Sequence, residues 1–321
     1  MKKNEKIYIA GHEGLLGSAL MRTLKTAGYT NFVFATKAEL DLRNQQMVEN
    51  FFAAKKPDYV FLAAATVGGI KANNELPAQF LYDNLMIQTN VIHAAHNNKV
   101  KKILFIGSSC IYPRTCPQPM QPHHLLTGEL EKTNEAYAIA KIAGIKMVQS
   151  YRKQYGDNFI SCMPTNLYGP GDTFDAEKSH VIPALMLKIH HAHFENAKTV
   201  HLWGTGNALR EFLYVDDCAR ALLFLMENFN GFDPINIGSG EEISICDLAQ
   251  MIKKVVGYRG TIVFDQQLEG TPRKLLDCAP INNLGWNAHT SIHVGLKRTY
   301  EWYIGRLKNC GTKRIDDLRV I

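Results

Sequence analysis

Residues 6–17 read KIYIAGHEGLLG, and this stretch decides the fold. Ile7, Tyr8, Ile9 and Ala10 form an apolar run too short for a helix and suited to a buried strand. Gly11, Gly14 and Gly17 follow at intervals of three. From Leu15 the apolar residues recur at helical spacing, which predicts a helix over residues 15–27. Each glycine between strand and helix has a separate task. Gly11 makes the tight turn, Gly14 lets the backbone approach a pyrophosphate, and Gly17 lets the helix pack against the strand. The first helical residues, Leu15 and Leu16, then present the positive end of the helix dipole to the phosphates. A glycine triplet alone is a weak signal; its place after the first strand of an alternating chain gives it weight.

Outward from the loop, short apolar strands alternate with helical patterns. Strands are predicted at residues 6–10, 31–35, 59–64, 102–107 and 159–163, and helices at 45–54, 77–98 and 135–155. Such alternation implies right-handed βαβ units, hence an α/β chain with a Rossmann-type doubly wound parallel sheet. After residue 163 the pattern loosens around Pro164, Gly169, Pro170 and Gly171. Helices are expected at 182–193, 216–227, 245–256 and 292–305, and short strands at 199–203 and 234–237. The expected division is a dinucleotide-binding domain over residues 1–165, with later segments returning to it, and a smaller mixed α/β substrate lobe over 166–321. The tail from Cys310 is polar and expected to be loose.

The chain of 321 residues is 46% hydrophobic and 21% charged, enough to bury a core and too evenly charged for gross disorder. Its formal net charge of +6 comes without a basic stripe interleaved with aromatics, which points to an anionic small ligand and away from nucleic acid. The 7 cysteines are an odd number without a CxxC pair, against a disulfide framework or a zinc site; no metal is expected, and a reducing compartment is. The first apolar run is too short for a signal peptide, and no run approaches the roughly 20 residues of a membrane span, so a cytoplasmic protein is expected.

The second predicted strand ends in Ala35-Thr36-Lys37. An acid near here contacts the ribose hydroxyls of NAD, whereas Lys37 suits the 2′-phosphate of NADP. Lys37 also reads as an ordinary surface lysine, and Glu39 keeps NAD open. Ala63, Ala64 and Ala65 end the third long strand, where small side chains let a cofactor pass close to the backbone.

Tyr137 and Lys141 lie four apart on the predicted helix 135–155 and so share a face. A tyrosine is a poor acid–base group at neutral pH unless a neighbouring ammonium stabilises its phenolate. Ser108, at the end of the fourth long strand, can hold a substrate carbonyl, with Ser109 its rival. Strand, serine, then a helix bearing Tyr-x-x-x-Lys resembles the short-chain dehydrogenases/reductases. That resemblance implies that Asp41 and Leu42 lie near the adenine and that Tyr137 and Lys141 also line the cofactor.

Longer segments narrow the resemblance. AGHEG (10–14), VGGI (67–70), GSSCIYP (107–113), YAIAKIAGIK (137–146), MPTNLYGP (163–170), SHVIPAL (179–185), REFLYVDD (210–217) and GTPRKLLD (270–277) are similar to the GDP-L-fucose synthase family across about residues 6–305. The family implies two reactions on GDP-4-keto-6-deoxy-D-mannose, epimerisation at C3 and C5 and reduction at C4 with NADPH. It implies Cys110 and His180 as the acid–base pair for epimerisation. It implies Asn166, Lys188, Trp203, Arg210 and Arg273 around the GDP-sugar, and a homodimer formed by the helices 77–98 and 135–155. Read alone, the arginines also serve as surface ion pairs and Trp203 as core. Two residues depart from the pattern: Glu13 stands where the family usually has an arginine near the 2′-phosphate, and Lys188 where an arginine is common. The nearest rival is a C4-reductase of another GDP-4-keto sugar, such as a heptose derivative, with little or no epimerase activity; a rival of another class is a non-catalytic NADP-binding regulator.

Overall fold

The computed structural model describes residues 1–175, 179–265 and 271–309. Its first half alternates strand and helix: β1 (Ile7–Ala10), α1 (Leu15–Thr26), β2 (Phe32–Val33), α2 (Gln45–Lys55), β3 (Tyr59–Leu62), α3 (Ile70–Glu75), α4 (Pro77–Asn97), β4 (Lys102–Ile106), α5 (Glu135–Tyr155) and β5 (Phe159–Pro164). These strands form one sheet in the order β2-β1-β3-β4-β5, closed at its far edge by the late strand β9 (Ile235–Ile237). All five pairings are parallel. β4 and β5 are buried along their whole length, as strands covered on both faces must be. α1 packs on α7 (Val215–Asn228), while α2, α4 and α5 lie side by side. The strand order reverses between β1 and β3, beside the glycine loop, where doubly wound sheets take their ligands.

The second region is built around β8 (Leu209–Tyr214), parallel to β6 (Asn166–Tyr168) and β12 (Arg273–Lys274) and antiparallel to β10 (Glu242–Ser244). β7 (Thr199–Trp203) and β11 (Thr261–Asp265) pair separately. α6 (Val181–Phe194), α8 (Ile245–Val256) and α10 (Ile292–Asn309) complete it with a core that includes Ile182, Met186, Leu202, Leu248 and Ile252. α9 (Ala279–Asn283) instead joins the first core through Ile281, as do β9 and α7. The chain therefore crosses between the two cores several times.

Three differences from the sequence expectation have physical causes. The second strand has two residues, not five; Phe34 beyond it is half exposed. β6, β8, β10, β11 and β12 were not expected, because strands of two to six residues in a sheet with uneven burial leave no clean alternation to read. α3 is a short helix after the VGGI loop, invisible to periodicity at six residues. The tail from Cys310 lies outside the described residues. Among the described residues six cysteines are free, no cluster of His, Cys, Asp or Glu could hold a metal, and no helix is long and apolar enough to cross a membrane.

Candidate active site

The glycine loop has the geometry its spacing implies. Gly11 is left-handed (φ +83°), and a Cβ on it would meet the Ala64 backbone at 2.8 Å. A Cβ on Gly17 would lie 2.0 Å from the Gly11 carbonyl oxygen, so α1 can approach the turn only without a side chain here. Gly14 caps α1 with no side-chain hydrogen bond, and the first bond into the helix runs from Ser18 N–H to the Gly14 carbonyl (2.9 Å). The N–H groups of Leu15, Leu16 and Gly17 thus stand at the helix end without intrahelical acceptors. Ala63 and Ala64, both half-buried, form the opposite wall. This cradle fits the pyrophosphate of a dinucleotide.

Around the expected ribose site the charges sort themselves. Glu39 accepts hydrogen bonds from the Thr36 N–H (2.8 Å) and hydroxyl (2.9 Å), which hold its carboxyl below the usual range and turn it inward on its own loop. Lys37 and Glu13 are both exposed, and His12 stacks on Phe34 with ring centroids 4.9 Å apart. Asp41 is held to Arg43 (Oδ2 to Nη2, 2.8 Å), which pulls its carboxyl down to about 2. Arg43 in turn bridges to the buried Asp83 at 3.1 Å, and the Leu42 carbonyl accepts from Asn90 Nδ2 at 2.9 Å. Arg43 was not expected; the signal was its place two residues after Asp41.

At the end of β4 the chain turns through a one-turn 3-10 helix, Ser109–Ile111, started by Ser108. The Cys110 N–H donates to the Ser108 hydroxyl at 3.4 Å, and that hydroxyl stands near enough to the Tyr137 phenol and the Cys110 thiol to lower both against burial, while Ser109 is buried in the turn. Ser108 is thus the serine beside the phenol and the thiol. Tyr137 packs edge-on against Phe80 with ring centroids 6.3 Å apart. The Lys141 ammonium lies 5.7 Å from the Tyr137 ring centre and donates to the Ile106 carbonyl at 2.8 Å. Burial pushes Lys141 down to about 8. The expectation that this ammonium lowers the phenol is not met in this arrangement. Burial, together with nearby Cys110, pushes Tyr137 up, and the lysine is turned to a backbone carbonyl. Burial likewise pushes the Cys110 thiol up, against the Ser108 hydrogen bond and the charges of Lys274 and Lys141.

His180 stands at the N-terminus of α6. Its ring is open to solvent yet set among enough protein that desolvation lowers its basicity. Ser108, Cys110, Tyr137 and Lys141 are brought together; His180 lies on the other lobe, with no hydrogen bond to them among the described residues. Asn166 donates to the Glu211 carbonyl at 2.9 Å. Lys188 lies 4.7 Å over the ring of Trp203, which is 67% exposed and so is not core. Arg210, half-buried, donates to the Leu209 carbonyl at 2.8 Å and lies near Glu131; burial lowers it. Arg273 instead pairs with Glu242 (2.8 Å) on the exposed side of β12.

The chain belongs to the NAD dependent epimerase/dehydratase family, which matches residues 7–238. Within that class its relatives include GDP-L-fucose synthases. It is 54% identical over 308 residues to GDP-L-fucose synthase 1 of Arabidopsis thaliana, covering 96% of this chain and 95% of that protein. It is 50% identical over 310 residues to GDP-L-fucose synthase of Escherichia coli strain K12, covering 94% and 97%. Among solved structures, the GDP-mannoheptose C4 reductase of Campylobacter jejuni with NADP bound is similar at a TM-score of 0.87 and 41% identity, over 95% of this chain and 99% of that one.

Proposed function

We propose that this protein converts GDP-4-keto-6-deoxy-D-mannose to GDP-L-fucose, by epimerisation at C3 and C5 and NADPH-dependent reduction at C4. The observation that carries the reading is the Ser108 hydroxyl standing beside both Tyr137 and Cys110 at the end of β4. A reductase acid and an epimerase thiol thereby share one oxygen-binding point, as two reactions on one 4-keto sugar require. Identity of 54% and 50% to the Arabidopsis thaliana and Escherichia coli fucose synthases, against 41% to the heptose reductase, supports this substrate, while the Naegleria fowleri fucose synthetase, at 29%, stands further off than that reductase.

The C4 ketone acidifies the C–H bonds at C3 and C5. Ser108 holds the carbonyl oxygen and steadies the negative charge that develops on it. Cys110 and His180 move the proton off one face of the ring and onto the other. After inversion Tyr137 gives its proton to O4, and Lys141 stands beside it to support the phenolate. The cradle of Gly11, Gly14, Leu15, Leu16, Gly17, Ala63 and Ala64 would hold NADPH, with Lys37 the candidate for its 2′-phosphate, and the cofactor would supply the hydride for C4. Arg210, Lys188, Trp203, Asn166 and Arg273 are the candidates for the GDP-sugar. Arg210 and Arg273 offer planar donor forks, and the exposed Trp203 ring offers a stacking surface. Exposed Tyr82, Ile139 and Tyr155 on α4 and α5 support a homodimer formed through those helices. Six free cysteines among the described residues support a reducing compartment, the cytoplasm.

The test is proton exchange. In D₂O without NADPH, the wild type exchanges the C3 and C5 protons of GDP-4-keto-6-deoxymannose. Cys110→Ser slows this sharply, since a hydroxyl is a far weaker acid and base than a thiol. Added NADPH yields GDP-L-fucose by NMR. NADPH oxidation without exchange would make the enzyme a plain C4-reductase.

A further inference from the structure

A serine at the start of a helix ordinarily caps it, its hydroxyl accepting from the N–H groups of the first turn. Ser179 does not do this for α6. His180 holds the cap position in extended backbone (φ −70°, ψ 171°), and the Ser179 hydroxyl turns back to the loop before it. That hydroxyl donates to the Thr173 carbonyl (2.6 Å) and accepts from the Asp175 N–H (2.7 Å). The Ser179 N–H donates in turn to the Asp175 carbonyl (3.3 Å). One residue thus ties Thr173 and Asp175 to the position directly ahead of the histidine.

The segment to which Ser179 is tied is itself fixed. Gly171 is left-handed (φ +97°), and a Cβ on it would lie 3.2 Å from the Ser18 hydroxyl oxygen and 3.7 Å from the Leu15 Cα, so the segment lies against the first turn of α1. The Asp172 N–H donates to the Gly169 carbonyl (3.2 Å), and Asp172 Oδ1 accepts from the Thr173 N–H (2.8 Å). Phe174 stacks on Tyr303 of α10, with ring centroids 4.3 Å apart and planes 13° from parallel. On the far side of His180, the Ala184 N–H donates to the His180 carbonyl (3.0 Å), and Ile182, Leu185 and Met186 bury α6 in its core. The His180 side chain makes no capping bond of its own. The backbone on its two sides therefore sets its direction, and the Ser179 hydroxyl is the tie on one of them.

We propose that Ser179 is a positioning residue of the epimerase step, its hydroxyl holding His180 where the imidazole returns a proton to the sugar. The proposal rests on the acid–base reading of Cys110 and His180. In the step the C–H proton goes to the Cys110 sulfur, and the bond's electron pair moves into an enolate with its charge on O4. His180 gives a proton to the opposite face, that pair closes the new C–H bond, and the ketone returns with the carbon inverted. Without the tie, removal of the proton persists, but its delivery to the opposite face is impaired. The enolate is then reprotonated on the face that lost its proton, and the sugar exchanges hydrogen without inverting.

The experiment uses the full chain saturated with NADP⁺ in D₂O, with the variants Ser179→Ala, Ser179→Thr, His180→Gln and the double variant Ser179→Ala/His180→Gln. Ser179→Val, with the shape of threonine and no hydroxyl, replaces the alanine form should that fail to fold. Borohydride quenching converts each ketone to a stable sugar whose configuration and deuterium content NMR reads. We expect the ratio of deuterated, uninverted sugar to inverted sugar to rise about tenfold or more in Ser179→Ala, toward the roughly 100-fold that a misplacement of about 1 Å costs. The ratio returns in Ser179→Thr, and KM for the sugar changes less than about threefold. Because the serine acts through the histidine, the double variant has the ratio of His180→Gln alone. The isotope-labelled His180 ring resonance, assigned by its loss in His180→Gln, reads placement with no sugar present; it shifts in Ser179→Ala and returns in Ser179→Thr. An unmoved ratio in a folded variant without the hydroxyl overturns the proposal. So does an equal loss of exchange and inversion, which marks a loop that only supports the fold, and so does a double variant with a higher ratio than His180→Gln. If His180→Gln inverts the sugar as the wild type does, the acid–base reading fails, while the ring resonance still decides whether Ser179 places the histidine.

Discussion

Gly17→Ala tests the glycine loop quantitatively. The added methyl would lie 2.0 Å from the Gly11 carbonyl oxygen and 2.8 Å from the His12 Cα, against an ordinary contact of 3.4 Å or more. Both neighbours are backbone, so no side chain can turn aside, and α1 must retreat from the turn by roughly 1 Å at an overpacking cost of about 1–3 kcal/mol. For a chain of this size that lowers Tm by about 2–6 °C. The retreat carries the N–H groups of Leu15 and Leu16 away from the pyrophosphate. A weakened hydrogen bond to a charged group costs about 1.5–3 kcal/mol, so the Kd for NADPH rises about 10- to 100-fold. Gly14→Ala is the control. A methyl there meets only the Gly11 carbonyl, at 3.5 Å, and its backbone (φ −73°, ψ 171°) suits any residue. That variant should keep its Tm and lose NADPH affinity alone, because the methyl stands at the open helix end. Calorimetric melting and isothermal titration with NADPH read both effects. A Gly17→Ala protein with wild-type Tm and Kd would refute the reasoning.

Tyr137→Phe should lose about 10²- to 10⁴-fold in NADPH oxidation while NADPH binding and C3/C5 exchange persist; near-wild-type turnover would remove Tyr137 from its role. Glu13→Arg exchanges an exposed anion for a cation beside the expected 2′-phosphate. The kcat/KM ratio of NADPH to NADH should rise about fivefold, as about 1 kcal/mol for exposed charges implies, and an unchanged ratio means that Glu13 faces elsewhere. Sedimentation at micromolar concentration should give a species of twice 36.1 kDa, and a monomer there would contradict pairing through α4 and α5.

The first half of the chain was legible because its signals are local and redundant. Glycines at 11, 14 and 17 follow a buried strand, and strands and helices there are bounded within a few residues. Tyr137 and Lys141 share α5, as one helical spacing predicts. Their electrostatics do not follow from that spacing. Whether an ammonium faces a phenol or a carbonyl depends on the end of a neighbouring strand, and here Lys141 turns to the Ile106 carbonyl. Burial then leaves Tyr137 a weaker acid than the spacing alone suggests.

The second half resisted for a different reason. Its strands of two to six residues pair with partners far away in sequence, so the face each side chain takes is set by register. Arg273 and Lys274 make the point. As letters in GTPRKLLD both are cations fit for a diphosphate, and arginine is the better anion fork. Once residue 274 is paired with Arg210, however, period-two alternation sends Arg273 to Glu242 on one face and Lys274 to the other. A one-residue slip of β12 against β8 would exchange these roles. The slip is opposed by the hydrogen bonds from Leu275, Leu276 and Asp277 to Gln118, Glu211 and Met120. Which cation takes which face thus depends on a register fixed by the backbone of the three residues that follow.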